Sequence, residues 1–272
     1  LRAAKKFILS KGGLDEVSMF TKVMLSITGQ MKWPSFSPLP IELILLPLNF
    51  PINFYSLSVY GRANLTPLLI LTDKKFTLTT KKNPDLSDIR VGRDHSDSWI
   101  RSEEMRSLFS FIEKGVKDLI GLPQQLHKLA LQRAKKYMFD HIEKDGTFYS
   151  YYSSTFLMIF ALLALGYKKT DPVITDAIDG IKAMRTTING LPHMQYTTAN
   201  VWNTSLIGYA LQEAGISPED SMVLKANQYL LDRQNDKFGD WVIHNPNILP
   251  GGWGFSDINT INPDVDDTTA SL

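Results

Sequence analysis

Apolar residues recur at helical spacing along much of this 272-residue chain. Residues 156–165 are apolar on every side, which predicts a buried helix; about ten residues are too few to cross a bilayer, which needs roughly 20. A second helix is predicted where a stripe at helical spacing ends at Gly215. That stripe comprises Thr204, Ile207, Leu211 and Ala214. Strand-like alternation is scarce, so the pattern predicts an all-α protein.

Two stretches interrupt this helical pattern. Residues 33–51 contain the prolines Pro34, Pro38, Pro40, Pro47 and Pro51. Because proline removes a backbone donor and disfavours helix in the residue before it, an extended or broken connection is expected here. Residues 74–98 are polar and charged, which indicates a long loop with little core of its own.

A helical segment followed by a glycine and an aromatic residue occurs more than once. The clearest copy contains Lys225, Ala226, Tyr229, Leu230, Gln234, Gly239 and Trp241. An earlier copy contains Arg133, Ala134, Tyr137, Met138, Gly146 and Phe148, with Ile142 in the place of the glutamine. A more degraded copy contains Ala4, Phe7, Ile8 and Gly12. Such repeats predict stacked helical hairpins arranged as an α–α barrel. We expect a structural role, in which Gln234 bonds the N-terminal groups of a neighbouring helix and Trp241 stacks nearby.

The composition excludes several classes of function. The net charge is +1, from 29 basic and 28 acidic residues, so the chain has no field that would attract nucleic acid. The absence of cysteine excludes disulfides and thiolate metal sites and fits a cytosolic setting. The five histidines have no metal-ligand spacing, and we expect them to be exposed or hydrogen-bonded.

Three carboxylates lie within four residues near the end of the sequence. Asp264, Asp266 and Asp267 follow an aromatic-glycine run at residues 251–255. An ordinary aspartate has a pKa of about 3.9, but three crowded acids cannot all ionise cheaply, so at least one should keep its proton near neutral pH. A retained proton beside aromatic faces suits the protonation of an alkene and the shelter of the resulting carbocation.

Two other interpretations of the acids stay open at this point. An aspartate-rich segment is common at a helix N-terminus, and residues 266–269 have the composition of an N-cap. Carboxylates also bind Mg²⁺, usually beside substrate phosphates. The chain has no glycine-rich phosphate loop and no EF-hand spacing near the cluster, so we expect no metal.

The acid motif and the glutamine–tryptophan repeat together resemble the class II triterpene cyclases, the squalene–hopene cyclase family. The resemblance is strongest at residues 201–204 and 250–269. It implies two α–α barrels, with residues 1–200 forming most of the inserted barrel and residues 201–272 beginning the catalytic one. It also implies a polyprenyl hydrocarbon substrate and no cofactor or metal. Because the chain lacks an initial Met and stops just after a helix start, we expect an internal part of a longer enzyme, inactive alone.

The resemblance also implies roles for particular residues. Asp266 matches the proton donor, and Asp264 and Asp267 match the acids that assist it; the histidine that polarises the donor in this family would lie beyond Leu272.

Three aromatic residues match cation-stabilising positions of the family. Phe255 matches a position that faces a developing cation, and Trp202 matches a position close to the acid. Tyr60 falls where hopene-forming relatives have tryptophan, and simple core packing stays an alternative for it.

The resemblance extends to the membrane and to the substrate. A helix at residues 100–122 has a wide apolar arc and sits where the family's nonpolar patch is expected, although core packing would explain it equally well. The implied location is cytoplasmic, monotopic on the inner face of the cell membrane, and a homodimer is compatible with it. Residues 254–259 and 267–271, with Tyr60, are similar to the branch in bacilli that converts tetraprenyl-β-curcumene to sporulenol. The alternatives are hopene formation from squalene and a noncatalytic toroid that binds a lipid or a protein.

Overall fold

The computed structural model describes residues 1–34, 40–51, 53–80, 83–91, 124–256 and 261–272. These residues form two compact units. The first unit comprises Leu1–Leu57, Asn64–Phe139 and Phe160–Tyr167, and the second comprises Ser58–Ala63, Asp140–Ile159 and Lys168–Leu272. The whole of the predicted 100–122 helix falls on residues outside the described ranges. The division at residue 200 stays a prediction.

Within these ranges the secondary structure is almost entirely helical. The α-helices are α1 (Arg2–Ser10), α2 (Met19–Ile27), α3 (Val59–Lys74), α4 (Gln124–Asp140), α5 (Tyr152–Ala164), α6 (Pro172–Ala183), α7 (Asn200–Glu213), α8 (Ser221–Leu231) and α9 (Val265–Ser271). Short 3-10 helices occupy Gly13–Glu16, Ile41–Leu45, Phe54–Ser56, Ser87–Ile89 and Asp240–Ile243. The predicted all-α class is confirmed, whereas closure into a barrel stays a prediction. Among the described residues, no helix has both the length and the apolar character needed to cross a membrane.

One short hairpin departs from the helical pattern. Strands β1 (Arg185–Ile188) and β2 (Leu191–Met194) pair antiparallel, with Ile188 opposite Leu191. The connecting residues Asn189 and Gly190 have φ angles of 51° and 78°. A two-residue turn with both φ values positive matches the twist of a hairpin, and Asn-Gly is the pair that favours it. That dipeptide was the available signal, since the strands themselves do not alternate clearly.

The first unit has its core in two helices and the proline-rich connection. Leu69 and Ile70 of α3 and Met138 of α4 are fully buried. As predicted, residues 40–51 form no long helix, but Ile41 and Ile44 in the short Ile41–Leu45 turn are buried with them. The prolines therefore break the helix without removing this connection from the core.

In the second unit, α7 buries a different face from the predicted one. Ile207, in the middle of the predicted stripe, is 58% exposed, whereas Ser205 and Gly208 are buried. Small side chains let α9 approach closely, and the hydroxyl oxygens of Ser205 and Ser271 lie 2.9 Å apart. The predicted face was wrong because close backbone packing, rather than side-chain hydropathy, decides the contact. The predicted stop is confirmed, since Gly215 follows the helix with φ 91°.

The predicted buried helix and the predicted repeat are both present. Residues 156–165 fall almost entirely within α5, which buries Leu157. Helices α4 and α8 are each followed by a turn with a glycine and an aromatic residue. In the first turn Gly146 has φ 81°, and a Cβ there would lie 2.4 Å from the carbonyl carbon of Asp176 in α6. Only glycine fits this contact, so the turn packs directly on α6, and Phe148 in the same turn is fully buried.

Candidate active site

The three acids of the motif meet at the first turn of α9. Asp264 is the N-cap, and its Oδ1 accepts a hydrogen bond from the backbone N–H of Asp267 at 2.8 Å. Asp266 and Asp267 occupy the first turn, where carboxylates are favoured by the helix dipole. The helix therefore begins before residue 266, and the predicted cap at residues 266–269 was wrong. Asp264, two residues earlier, is the cap and accepts from one of the free N–H groups.

The loop at residues 251–256 supports this helix start. The backbone N–H of Asp264 donates to the carbonyl of Trp253 at 3.1 Å, and the N–H of Trp253 donates to Thr268 Oγ1 at 3.0 Å. The Trp253 ring is buried, and its Nε1–H donates to the carbonyl of Leu230 at 2.7 Å. A Cβ on Gly252 would lie 2.6 Å from Thr268 Oγ1, so this glycine permits the close approach. Backbone and side-chain hydrogen bonds thus tie the segment that carries the acids to this loop.

The glutamine of the repeat contributes to the same loop. Gln234 Nε2 donates to the carbonyl of Gly251 at 2.7 Å. The expected bond to a helix N-terminus is wrong, because α8 ends at Leu231 and this places Gln234 beside the glycine loop. Trp241 lies in the Asp240–Ile243 turn, with its ring 5.8 Å from that of Phe238. The repeat therefore keeps the structural role predicted for it, with a different partner.

Burial gives one acid of the cluster an unusual protonation equilibrium. Asp267 is 3% exposed, whereas Asp264 and Asp266 are exposed. Burial, the hydrogen bond to Asp264 and the negative charges of both other acids together raise the pKa of Asp267 to about 7, with burial the largest cause. With that pKa, Asp267 is the acid of the cluster that is partly protonated near neutral pH. The donor role of Asp266 stays a prediction.

A cluster of tyrosines lies within electrostatic reach of these acids. We call Tyr60, Tyr151 and Tyr196 the tyrosine cluster. The ring of Tyr60 stands edge-on to Tyr151 at 5.4 Å and lies 6.0 Å from Tyr196, and the latter two rings are also 6.0 Å apart. Burial raises the pKa of Tyr151, and the charges of Asp264 and Asp267 contribute in the same direction.

Tyr151 and Tyr196 were not predicted from the sequence. The position of Tyr151, three residues after the aromatic residue of the first repeat turn, was the only available signal. No pattern in the sequence marks Tyr196. Tyr152 and Tyr196 share a backbone hydrogen bond of 2.8 Å, which draws the segment after the hairpin to the start of α5.

The other two predicted aromatic residues are brought together through their backbones. The N–H of Trp202, in the first turn of α7, donates to the carbonyl of Phe255 at 3.4 Å. Both side chains are half-buried. Their cation-stabilising roles stay predictions.

Two of the five histidines lie against carboxylates. His127 Nδ1 lies 2.8 Å from Glu42 and its Nε2 lies 3.2 Å from Asp73, and His141 Nε2 lies 3.4 Å from Asp240. These two histidines are thus partnered by carboxylates, as expected. Over the described ranges, no group of three or more His, Cys, Asp or Glu is arranged to hold a metal ion. The expectation of a metal-free reaction stays a prediction.

Comparison with known proteins agrees with this site. Residues 1–189 match the family model of the squalene–hopene cyclase N-terminal domain, and residues 198–272 match that of the C-terminal domain. The chain is 43% identical over 275 residues to sporulenol synthase of Bacillus subtilis, covering all of this chain and 43% of that protein. It is 27% identical over 277 residues to squalene–hopene cyclase of Alicyclobacillus acidocaldarius, covering 98% of this chain and 43% of that protein. A squalene–hopene cyclase of Schizosaccharomyces japonicus is 28% identical over 284 residues, with coverage of 98% and 43%.

The chain spans less than half the length of these relatives. The two family models nevertheless cover nearly every residue of it, including the acid motif and both repeat turns. The chain therefore belongs to the squalene–hopene cyclase family.

Proposed function

We propose that the protein is a class II terpene cyclase, which protonates an alkene of a polyprenyl hydrocarbon and directs its polycyclisation. The observation that carries the proposal is the acid cluster. A buried carboxyl with a pKa of about 7 is held beside two further carboxyls on a rigid helix start. A carboxylic acid that is partly protonated at neutral pH and adjoins aromatic rings has the chemistry that alkene protonation needs.

The proposed reaction begins with transfer of one proton. The π electrons of the terminal alkene form a new C–H bond with the acid proton, the O–H bond breaks, and a tertiary carbocation and a carboxylate result. Each following alkene attacks the cation in turn and closes a ring. We propose Asp266 as the donor, as its match to the family's motif implies, with Asp264 and Asp267 assisting. A proton on Asp267 removes one negative charge from the cluster.

The aromatic residues would stabilise the cation without reacting with it. A cation over an aromatic face gains about 0.5–2 kcal/mol per contact. Tyr60 belongs to the tyrosine cluster. Phe255 lies in the loop at residues 251–256 that bonds the start of α9, and the backbone of Trp202 bonds that of Phe255. We propose these three as the cation-stabilising residues of this part of the protein.

Replacement of single acids tests the mechanism. In the natural protein that carries residues 1–272, Asp266→Asn should abolish cyclisation because an amide is not a strong acid. The matched control is Asp220→Asn, which changes an exposed N-cap of α8 in the same unit and should keep full activity. Product chromatography with unchanged helical content by circular dichroism is the measurement. Activity in Asp266→Asn together with its loss in Asp267→Asn would move the donor role to Asp267.

For the substrate, we propose tetraprenyl-β-curcumene, converted to a pentacyclic alcohol by final capture of water. The support is the 43% identity to sporulenol synthase, against 27% and 28% to two squalene–hopene cyclases. Tyr60 is consistent with it, since a phenol has a smaller ring than an indole and a hydroxyl that can place water. The test supplies the protein separately with tetraprenyl-β-curcumene, which is the C35 compound, and with squalene. The protein should convert squalene only to partly cyclised products. Efficient hopene formation, with the C35 compound ignored, would reverse this choice.

We also propose that the protein attaches to one leaflet at the inner face of the cell membrane, since a hydrocarbon substrate dissolves in lipid and not in water. The apolar residues within 100–122 are the proposed contact. The noncatalytic alternative, a toroid that binds lipid or protein, predicts liposome binding without any cyclised product. Co-sedimentation with liposomes and recovery without detergent test the attachment; full recovery in the supernatant would contradict it. A homodimer and the two-barrel division at residue 200 belong to the same proposal.

A further inference from the structure

Two consecutive residues next to the tyrosine cluster have a backbone conformation that non-glycine residues rarely adopt. Tyr149 and Ser150 have φ angles of 56° and 57°, in the left-handed region. Side chains with a Cβ are disfavoured there, and two such residues in a row are unusual. Both residues are essentially fully buried, and the buried Ser150 hydroxyl has no hydrogen-bond partner among the described residues. Such a conformation persists only where its surroundings hold it in place.

The surroundings of Tyr149 form a buried polar network around one carboxylate. The hydroxyl of Tyr149 donates to Asp240 Oδ2 at 3.2 Å, and its ring stacks on His141 with centroids 4.7 Å apart. The same carboxylate lies 3.4 Å from the guanidinium of Arg62 and 3.4 Å from the His141 ring. The side chains of these residues are all largely buried, so the hydrogen bonds are poorly screened by water. We call Arg62, His141, Tyr149 and Asp240 the Asp240 anchor.

This anchor is connected to the tyrosine cluster from two directions. Tyr151 follows the left-handed pair directly, so its position depends on the conformation of residues 149 and 150. Tyr60 precedes Arg62 by two residues in the first turn of α3, so the Arg62–Asp240 ion pair fixes the segment that carries it. The rings of Tyr60 and Tyr151 meet at 5.4 Å. One carboxylate therefore holds two of the three segments whose aromatic rings form the cluster.

We propose that Asp240 and Tyr149 are positioning residues, which fix the left-handed turn and thereby set the placement of Tyr151 and Tyr60 beside the acids. They touch no reacting atom. This inference rests on the proposed cyclase function and adds that product specificity depends on the anchor. A ring displaced by a fraction of its width would stabilise a cation at a different carbon, so premature termination is the expected consequence of loosening the turn.

Substitutions at Tyr149 and Ser150, the two residues with a positive φ, test whether the anchor sets the product ratio. Tyr149→Phe removes only the hydroxyl that bonds Asp240, and should lower kcat for the C35 substrate roughly tenfold with little change in KM. The fraction of partly cyclised products should rise. The double variant Tyr149→Phe with Ser150→Gly should restore most of the product ratio, because glycine adopts a positive φ without cost and the turn then no longer needs its anchor. Asp240→Asn should shift the products in the same direction and further than Tyr149→Phe, because it also removes the charge that pairs with the buried Arg62 guanidinium.

The control variant is Tyr167→Phe, which removes a tyrosine hydroxyl in the other unit and should leave the product ratio unchanged. An anchor that only stabilises the fold would lower the unfolding temperature of Tyr149→Phe and leave the product ratio as in the wild type; that outcome would overturn the inference. Failure of the glycine variant to rescue the ratio would overturn it as well. Absence of cyclised product from the wild type would instead refute the proposed function, and this inference with it.

Discussion

The protonation of Asp267 has a consequence for stability that can be measured without substrate. Its pKa is about 7 in the folded protein against an ordinary value of 3.8, so the folded state binds the proton more tightly than the unfolded state. At 1.36 kcal/mol per pH unit, this difference corresponds to about 4 kcal/mol. Asp264 and Asp266 are exposed, and water screens their share, so we expect about 2 kcal/mol in practice.

The sign follows from the raised pKa. The stability that the bound proton provides is fully present below the unfolded pKa of 3.8 and is lost as the pH rises through about 7. Asp267→Asn is neutral at every pH, and its amide can still donate to Asp264. We therefore expect this variant to match the wild type at about pH 4 and to exceed it by about 2 kcal/mol at about pH 8.

Urea unfolding followed by tryptophan fluorescence is the assay, since Trp253 is hydrogen-bonded to Thr268 next to Asp267. Asp220→Asn is the control, because it changes an exposed helix cap and its free energy of unfolding should not rise at alkaline pH relative to the wild type. If Asp267→Asn raised the free energy of unfolding by the same amount at both pH values, the stabilisation could not come from the protonation of Asp267. A loss at about pH 8 would show that the carboxylate is favoured in the folded state, against the reasoning from burial.

Two further predictions concern the packing that supports the site. Trp253→Phe should destabilise the protein by about 1–3 kcal/mol, because it removes a buried hydrogen bond of 2.7 Å to the carbonyl of Leu230, which then keeps only its bond from the N–H of Arg233. Trp241→Phe should cost less, since the Nε1–H of Trp241 has no partner among the described residues. Urea unfolding of both variants checks this, and equal losses would contradict it. Gly146→Ala should cost more than about 2 kcal/mol, because its Cβ would collide with the backbone of α6. Gly190→Ala meets open space at a similar φ and should cost only about 1 kcal/mol; equal losses in thermal scans would mean that φ alone decides.

Much of the framework could be predicted from the sequence because its signals are local. Three aspartates within four residues must share one turn of any helix that begins there, and the structure has them in the first turn of α9. The repeat of a helix, a glycine and an aromatic residue is equally local, and Gly146 explains why the glycine is needed. Local spacing and backbone preference are properties that a short segment carries with it.

The sequence predicted less well which face of each helix is buried and which partner each side chain bonds. The stripe that includes Ile207 predicted the wrong face of α7, because Ser205 and Gly208 are buried for their small size rather than for their hydropathy. Gln234 was expected at a helix N-terminus and instead bonds the carbonyl of Gly251, 17 residues away. Which surfaces meet depends on the shapes of both partners, and a single segment specifies only one of them.

The sequence by itself determined the helical class, the repeated turn and the grouping of Asp264, Asp266 and Asp267, since each follows from neighbouring residues. Only the tertiary structure decided which acid holds the proton, because burial of Asp267 is produced by the whole unit around it. The hydrogen bond from Tyr149 to Asp240, 91 residues apart in the sequence, is likewise seen only in the tertiary structure. A pKa and a long-range hydrogen bond depend on distance and dielectric in the folded chain, and neither quantity exists until distant segments pack.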